Sequence, residues 1–374
     1  MSAPLVMRLE AELLTTIDTV DRALLTVQIA CYQARIGEFE GAEAKRLELR
    51  REFGAGQRAR ISIMIMCLEG LLLYYKDLDP AARDRLLRAN VLSVACSDRS
   101  LIALTSAWLS HIDFNQGRYD SMAKALTKCF EAMDADNGAA SCRVALVLGD
   151  AFTFTNKIAQ AKVWYEHARV TANRIGDQAA VGAITYNRAA LHVASGRIRR
   201  LTAPLDSSEI SFINAEVRSA VNYQHAARLI SLDHLLRSSS IGVLMLEERF
   251  EQARLAIEEV VASSEVPRDS AELALLHADQ AHCLARLGRF SNAALPAQAA
   301  TAIATDRFDA DDRAVIFGAL SNYHLACGEE SSATNWTKAC QIALEEHQMT
   351  IDSLTTLLNP FIPGPPNPLT HPQV

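Results

Sequence analysis

A turn pattern recurs about every 40 residues along this 374-residue chain. In each copy an apolar helical stripe leads into a turn. An apolar residue follows two positions later in all copies but the last, and a small residue usually comes three positions after that. The turns are centred on Gly37, Lys76, Gly117, Asn156, Gly196, Glu248, Gly288 and Gly328. Their spacing stays close to 40 residues except between Gly196 and Glu248, where it is 52. A fixed period of this length is typical of stacked helical pairs.

The residue types at each repeat position favour helical hairpins. Gly, or the Asn at position 156, tolerates the left-handed backbone that ends a helix. The small residue after the turn, such as Ala293, lets two helices cross closely. Alternation of the kind found in β-strands is hard to find. The sequence therefore predicts an all-α fold, an α-solenoid of about eight antiparallel helix pairs.

The fourth and seventh copies carry the residues of a known repeat family. The fourth copy has Leu148, Gly149, Phe152, Asn156, Ile158, Ala161, Tyr165 and Ala168. The seventh copy has Ala281, Leu284, Gly288, Phe290, Ala293 and Ala300. On these residues the chain resembles the tetratricopeptide repeat family over roughly residues 23–347. The period is about 40 rather than 34 residues, and the proline that usually closes a unit is mostly missing. Both departures suggest longer helices, similar to the extended repeats of several bacterial regulatory and peptide-sensing proteins.

The repeat pattern also predicts how the chain is divided. Segment 199–209 contains Pro204 and Asp206, which stop one helix and can cap the next, here predicted from Glu209 to about Arg228. This segment is either a tolerated insertion or a flex point. The predicted segments are an N-terminal capping helix at 1–22, five units at 23–198, the irregular segment at 199–209, a helix and three units at 210–347, a helix end at 348–358 and a proline-rich tail at 359–374.

The tail contains six of the eleven prolines. Two spacings, Pro363 to Pro366 and Pro365 to Pro368, fit an aromatic groove of a partner. A disordered terminus is the simpler prediction for such a composition. A third alternative is that Phe361 and Ile362 dock the tail against the last helix of the solenoid.

The overall composition excludes several classes of function. The net charge of −7 argues against a surface that follows nucleic-acid phosphates. The most apolar stretch, residues 61–75, contains Glu69 and is shorter than a membrane span. Eight cysteines with no Cys-x-x-Cys pair and an N-terminus without an export pattern favour reduced thiols. We therefore expect a cytoplasmic protein that binds neither nucleic acid nor membrane.

No catalytic motif is found in the sequence. It contains no phosphate-binding glycine loop, no Gly-x-Ser-x-Gly and no His-Glu-x-x-His, and its ten histidines form no metal-binding pair. "DADNG" at 134–138 and "RFDADDRA" at 307–314 are interpreted as polar turns between units. We expect no enzyme activity, no cofactor and no metal, and an enzyme built on helical hairpins remains an alternative without motif support.

A repeat array without catalytic motifs favours binding in a concave groove. The leading hypothesis is a scaffold or regulatory module that holds a protein or peptide segment. The alternative is a peptide-sensing regulator whose superhelix changes shape on ligand binding and which acts through a partner protein. The apolar part of the groove leaves room for the chain's own ends or for a second copy of the chain, so a homodimer is also possible.

The family resemblance implies that ligands contact the first helix of each unit. At the corresponding positions the polar residues are Gln28, Arg35, His111, Asn115, Arg143, Asp150, Tyr186, Asn187, Asp279, His282, Arg286 and Asn322. The apolar residues are Ile63, Met66, Leu73, Tyr74, Leu235, Met245 and Leu246. Polar side chains there can hydrogen-bond an extended peptide, and methionine-containing apolar positions suit apolar peptides or amphipathic helices.

Overall fold

The computed structural model describes residues 3–54, 58–134, 136–231, 233–263 and 266–365. These residues form seventeen α-helices and one 3-10 turn at Asn359–Phe361, and they contain no β-strand. The all-α prediction is confirmed. The helices are α1 Pro4–Thr15, α2 Thr19–Ile36, α3 Phe39–Phe53, α4 Ala59–Asp77, α5 Ala81–Ala95, α6 Arg99–Asn115, α7 Tyr119–Ala132, α8 Gly138–Phe154, α9 Ile158–Ile175, α10 Gln178–Arg200, α11 Ser207–Ala227, α12 Asp233–Leu246, α13 Phe250–Ser263, α14 Ala271–Arg286, α15 Phe290–Ile303, α16 Ala310–Ala326 and α17 Glu330–Leu358.

Helices that follow each other in the chain pack as pairs. The pairs include α2 with α3, α4 with α5, α6 with α7, α8 with α9, α12 with α13 and α14 with α15. The first helices of neighbouring pairs also pack together, as α2 does with α4, α6 with α8 and α14 with α16. This is the local packing that the 40-residue period predicts.

The predicted turns coincide with left-handed backbone at most repeats. A positive φ is found at Gly37, Gly117, Asn156, Glu248, Gly288 and Gly328. In the second repeat it falls on Leu78, with φ of 50°, because α4 continues through Lys76 to Asp77. Glycine at most of these positions avoids the steric cost that a Cβ atom brings there.

The turn predicted at Gly196 is wrong. Helix α10 continues through Gly196 to Arg200, because the arginines that follow are good helix formers. Gly196 instead allows α11 to approach closely, since a Cβ atom there would lie 2.8 Å from Cδ1 of Ile213. The irregular segment is shorter than 199–209 and covers residues 201–206. Asp206 caps α11 by accepting hydrogen bonds from the N–H groups of Ser208 and Glu209.

The described chain divides into two compact units. Unit 1 contains Met1–Thr185, Tyr223–Leu232 and Leu354–Val374, and unit 2 contains Tyr186–Asn222 and Asp233–Ser353. Unit 2 has apolar cores around Val193, Val217 and Leu246 and around Ala281 and Leu320. This division differs from the five-and-three grouping that the repeat intervals predict.

The core of unit 1 includes the start of the C-terminal tail. Phe361 is buried, and its ring lies 5.8 Å from that of Phe130. The indole N–H of Trp164 donates a hydrogen bond of 3.3 Å to the Phe361 carbonyl oxygen. Phe361 therefore docks on α7 and α9, in the core that also contains Leu354 and Leu358 of the last helix, whereas Ile362 is exposed. Both proline spacings extend beyond Pro365 and so lie partly outside the described residues.

We predict that Gly149→Ala lowers the free energy of unfolding by about 1–3 kcal/mol, because it overpacks the crossing of α8 and α9. A Cβ atom at Gly149 would lie 2.6 Å from the Tyr165 ring, which is held by a hydrogen bond from its hydroxyl to Asp150. Urea unfolding followed by circular dichroism measures the effect. Gly41→Ala in α3 is the matched control, because its Cβ meets only the flexible Gln33 side chain at 3.1 Å. An equal loss for both variants would contradict the packing explanation.

Candidate functional site

Unit 1 contains a cavity of about 380 Å³, which we call the unit 1 cavity. Its walls are α1, α2, α4, α6, α8 and the start of α10. Residues three or four positions apart line it from each first helix, because that spacing places them on one face. The lining combines apolar and aromatic with polar side chains, among them Gln28, Tyr32, Arg35, Met64, Leu71, Trp108 and Arg143.

The N-terminal helix forms one wall of the unit 1 cavity. Leu5 and Arg8 line the cavity, and Val6 packs against Tyr32 of α2. The Leu5 N–H donates a 3.1 Å hydrogen bond to the carbonyl oxygen of Gly176 at the end of α9. The N-terminal helix thus covers one side of the unit 1 cavity.

A buried ion pair fixes the polar side of the unit 1 cavity. Arg35 of α2 lies 2.6 Å from Asp177, which precedes α10. Asp177 also accepts a 2.9 Å hydrogen bond from the Ala180 N–H, so it caps α10. Burial raises the pKa of Asp177, but the Arg35 charge and hydrogen bond outweigh burial and leave this pKa below its ordinary value. Both groups are therefore charged at neutral pH.

Arg143 presents a second buried guanidinium to the unit 1 cavity. The residue is only 4% exposed, and its guanidinium carbon lies 3.8 Å from the centroid of the Trp108 ring. Such stacking stabilises a cation on an aromatic face. Nη1 of Arg143 has no hydrogen-bond partner among the described residues. The Trp108 indole thus holds the Arg143 guanidinium in place, and Nη1 of that guanidinium donates no hydrogen bond to any described residue.

His111, Asn115 and Tyr74 form a network beside the cavity. The His111 ring lies 5.4 Å from Tyr74 and 5.8 Å from Trp108, and Asn115 donates a 3.0 Å hydrogen bond to the Tyr74 hydroxyl. Burial and the positive charges of Arg143 and Arg35 hold the pKa of His111 well below its ordinary value. A neutral His111 supports the position of Trp108 and does not itself line the cavity.

The remaining predicted residues of unit 1 lie away from the cavity. Asp150 is buried and accepts a 2.8 Å hydrogen bond from the Tyr165 hydroxyl. Met66 and the buried Ile63 pack into the core around α4. Leu73 is half-buried near the end of α4. From α4 the cavity is lined instead by Arg60, Met64, Cys67 and Leu71.

Unit 2 contains a second cavity of about 380 Å³, which we call the unit 2 cavity. Side chains from α10, α12, α14, α16 and α17 line it, together with Phe250 of α13. It brings together six of the residues that the sequence singles out. They are Met245, Leu246, Asp279, His282, Arg286 and Asn322.

The polar groups of the unit 2 cavity are largely paired with one another. Arg197 binds both carboxylate oxygens of Asp279, at 2.8 and 2.6 Å, and Asp279 is fully buried. Arg200 pairs with Glu248 nearer the surface. Bidentate pairing satisfies both charges of the buried pair and leaves it little capacity for a ligand.

His282 and Arg286 also line the unit 2 cavity. Burial, together with the charges of Arg286, Arg197 and Arg200, lowers the pKa of His282 to about 4. The Arg286 guanidinium carbon lies 4.8 Å from the Phe250 ring centroid, and the Arg286 side chain is exposed. The arginine–aromatic pair of unit 2 is therefore solvated, whereas that of unit 1 is buried.

Three predicted residues of unit 2 do not line its cavity. Tyr186 packs beside the core around Val193. Asn187 is half-buried in α10. Leu235 is half-buried, and its carbonyl oxygen accepts a hydrogen bond from Ser239.

Sequence reasoning missed Trp108 and Asp177. Trp108 precedes Gly117 by the same number of residues as Gln28 precedes Gly37. The repeat pattern therefore contained the information to predict Trp108 as a residue that lines the cavity. Asp177 had no local signal, because its partner Arg35 lies far away in the sequence. Contacts of this kind become visible only when the folded helices bring the two positions together.

Three carboxylates meet at the N-terminus of α16. Oxygen atoms of Asp309, Asp311 and Asp312 lie within 4.8 Å of one another. Burial and the neighbouring acids raise the pKa of Asp312 to about 8. These acids occupy the first turn and its cap, which agrees with the polar inter-unit turn expected at 307–314.

Comparisons with known proteins leave the family open. No protein-family model matches the chain, and no curated protein matches it either. A separate structural finding concerns the helices themselves. Within the described ranges, none of them is long and apolar enough to cross a membrane.

Proposed function

We propose that the protein is a non-enzymatic binding module, a scaffold or regulator, that holds a segment of a peptide or protein in the groove formed by the first helices of its repeats. The observation that carries this proposal is the unit 1 cavity. Ligand sites are typically concave and mostly apolar, and they contain a few placed polar groups. The tetratricopeptide-like solenoid expected from the sequence belongs to the same proposal.

The composition of the unit 1 cavity suits a short peptide segment. Trp108 and Tyr32 offer aromatic surface, and Met64 offers an adaptable apolar contact. Gln28 of α2 is exposed and presents both hydrogen-bond donors and an acceptor to a peptide backbone. Few side chains of this kind are needed to orient a ligand whose apolar part fills the remaining space.

We predict that Ala139→Trp blocks peptide binding. Ala139 is exposed at the second position of α8 and lines the unit 1 cavity, so an indole there occupies ligand space without entering the core. Peptides are first selected from a random library on the full-length protein. Their dissociation constants for wild type and variant are then compared by isothermal titration calorimetry, and we expect a loss of at least about tenfold.

Ala159→Trp is the matched control, because Ala159 is exposed at the second position of α9 and does not line the cavity. It should bind the selected peptides as the wild type does. Equal affinity of Ala139→Trp and wild type would place the peptide elsewhere. Failure to select any peptide would overturn the proposed function.

A further inference from the structure

We propose that one end of the unit 1 cavity is an oxyanion site, where Arg143 and the N-terminus of α8 receive a carboxylate or phosphate group of the ligand. The inference rests on the proposed function of the unit 1 cavity and adds the chemical group that the ligand presents. Four observations carry it: an unused buried donor, an uncapped helix terminus, the charge balance of the lining and the apolar surface beside it.

The first observation is the state of Arg143. A guanidinium that is 96% buried keeps its charge, so leaving one of its nitrogens without an acceptor costs free energy. Nη1 has no hydrogen-bond partner among the described residues, yet Arg143 is part of the cavity lining. An anion in the cavity gives the guanidinium an acceptor on the part of Arg143 that lines the cavity, and the planar guanidinium matches the geometry of a carboxylate or phosphate.

The second observation is the N-terminus of α8, which opens into the same cavity. Gly138, Ala139 and Ala140 of its first turn line the cavity. No side chain of the described residues caps the helix. The Asn137 side chain instead accepts a hydrogen bond from the Asp134 N–H and donates one to the Ser100 hydroxyl. The first N–H groups of a helix lack partners within the helix and carry its partial positive charge. The Gly138 N–H already donates a 2.9 Å hydrogen bond to the Asp136 carbonyl oxygen, so the N–H groups offered to a ligand are those of Ala139 and Ala140. Such a terminus is suited to binding an anion.

The third observation is the charge balance of the lining. It contains four arginines, Arg8, Arg35, Arg60 and Arg143, against two acids, Asp136 and Asp177. Arg35 and Asp177 are paired with each other, and Arg60 is paired with Asp98 at 2.9 Å. Among the described lining residues, this leaves Arg8 and Arg143 against the exposed Asp136 carboxylate, so the lining keeps one excess positive charge.

The fourth observation is that the remaining surface is apolar. Trp108, against which Arg143 stacks, is joined by Leu104 and Met64. A ligand that combines an oxyanion with an adjacent apolar group therefore meets complementary surface on both sides. An acyl amino acid, which mimics the end of a peptide, has this combination, whereas inorganic phosphate has the anion alone.

The test uses the full-length chain and three small probes. Inorganic phosphate, N-acetylleucine and N-acetylleucinamide are each titrated while tryptophan fluorescence is recorded, since Trp108 lies against Arg143. We expect saturable binding of an oxyanion probe and at least about tenfold weaker binding of the uncharged amide. Tighter binding of phosphate identifies a phosphate-bearing ligand, and tighter binding of N-acetylleucine a carboxylate. Equal binding of acid and amide, or binding of neither anion, overturns the proposal.

Variants locate the site. Arg143→Met should weaken binding of the anionic probe by at least about tenfold, and Arg143→Lys should retain part of it. Arg286→Met is the matched control, because Arg286 also stacks on an aromatic ring but lies in unit 2. Unchanged binding by a folded Arg143→Met overturns the proposal. If that variant does not fold, Arg143→Lys and the comparison of acid with amide on wild type decide the question.

These outcomes are separate from those of the proposed function. The selected peptides, none of which carries phosphate, could bind equally well with a free and with an amidated C-terminus. That result would support the peptide site and contradict the oxyanion site. Phosphate binding that depends on Arg143, without any peptide binding, would support the oxyanion site and contradict the proposed peptide-binding function.

Discussion

Replacing Asp177 by asparagine is expected to lower the free energy of unfolding by about 3–5 kcal/mol at neutral pH, because it leaves a buried guanidinium without its counter-charge. Arg35 and Asp177 are 10% and 5% exposed at their side chains and lie 2.6 Å apart. Asparagine keeps an oxygen that can accept the Ala180 N–H, so the cap of α10 is preserved. The variant therefore isolates the charge. Urea unfolding followed by circular dichroism and tryptophan fluorescence measures the loss.

Asp136→Asn is the control for Asp177→Asn. Asp136 also lines the unit 1 cavity, but it is exposed and belongs to no ion pair among the described residues. Its replacement should change stability by no more than about 0.5 kcal/mol. A loss below about 1 kcal/mol for Asp177→Asn would show that the pair contributes no more than an exposed ion pair does.

The same pair gives the stability a defined pH dependence. The pKa of Asp177 is lower in the folded protein than its ordinary value, which is about 3.9 in an unfolded chain. The unfolded state therefore binds a proton first, and the stabilising contribution of Asp177 is fully present above about pH 4–5 and is lost as the pH falls through the folded value. The stability difference between wild type and Asp177→Asn should accordingly shrink below pH 4. A difference that grows with acidification would contradict this assignment.

Asp279→Asn in unit 2 is expected to cost about 3–5 kcal/mol for the same physical reason. Asp279 is fully buried and accepts two hydrogen bonds from Arg197. The substitution therefore leaves the Arg197 charge without its counter-charge at a position that water does not reach. Replacing both partners, Arg197→Met with Asp279→Leu, should recover much of the loss, because no unpaired charge is then buried. Urea unfolding of the single and double variants measures both effects.

Glu248→Gln is the matched control in the unit 2 cavity. Glu248 pairs with Arg200, but the two side chains are 50% and 32% exposed. Solvent screens such a pair, so its removal should cost no more than about 1 kcal/mol. If the double variant Arg197→Met with Asp279→Leu is as unstable as Asp279→Asn, the loss of stability does not come from an unpaired buried charge.

The repeat pattern predicted the helices well because it records local chemistry. Glycine at Gly37, Gly117, Gly288 and Gly328 coincides with positive φ, and this constraint acts within a few residues. The pattern failed at Gly196, where glycine is required by the close approach of Ile213 rather than by a turn. A sequence shows a glycine in both cases and does not show which neighbour requires it.

The site was predicted in part for a related reason. Gln28, Arg35 and Arg143 line the unit 1 cavity because positions on a helix face repeat with the helix period. His111 occupies a comparable position but is buried against Tyr74 and Trp108. Whether a polar side chain enters a cavity or packs beside it depends on the size of its neighbours on adjacent helices, which the period alone does not contain.

We propose that the unit 1 cavity holds its ligand through a carboxylate or phosphate group of that ligand. The most direct test is a crystal structure of the full-length protein with the probe or selected peptide that binds most tightly. We expect its carboxylate or phosphate to lie within hydrogen-bond distance of the Arg143 guanidinium and the first turn of α8, with its apolar part against Trp108. A ligand bound at another surface, with Nη1 of Arg143 still unpaired, would contradict it.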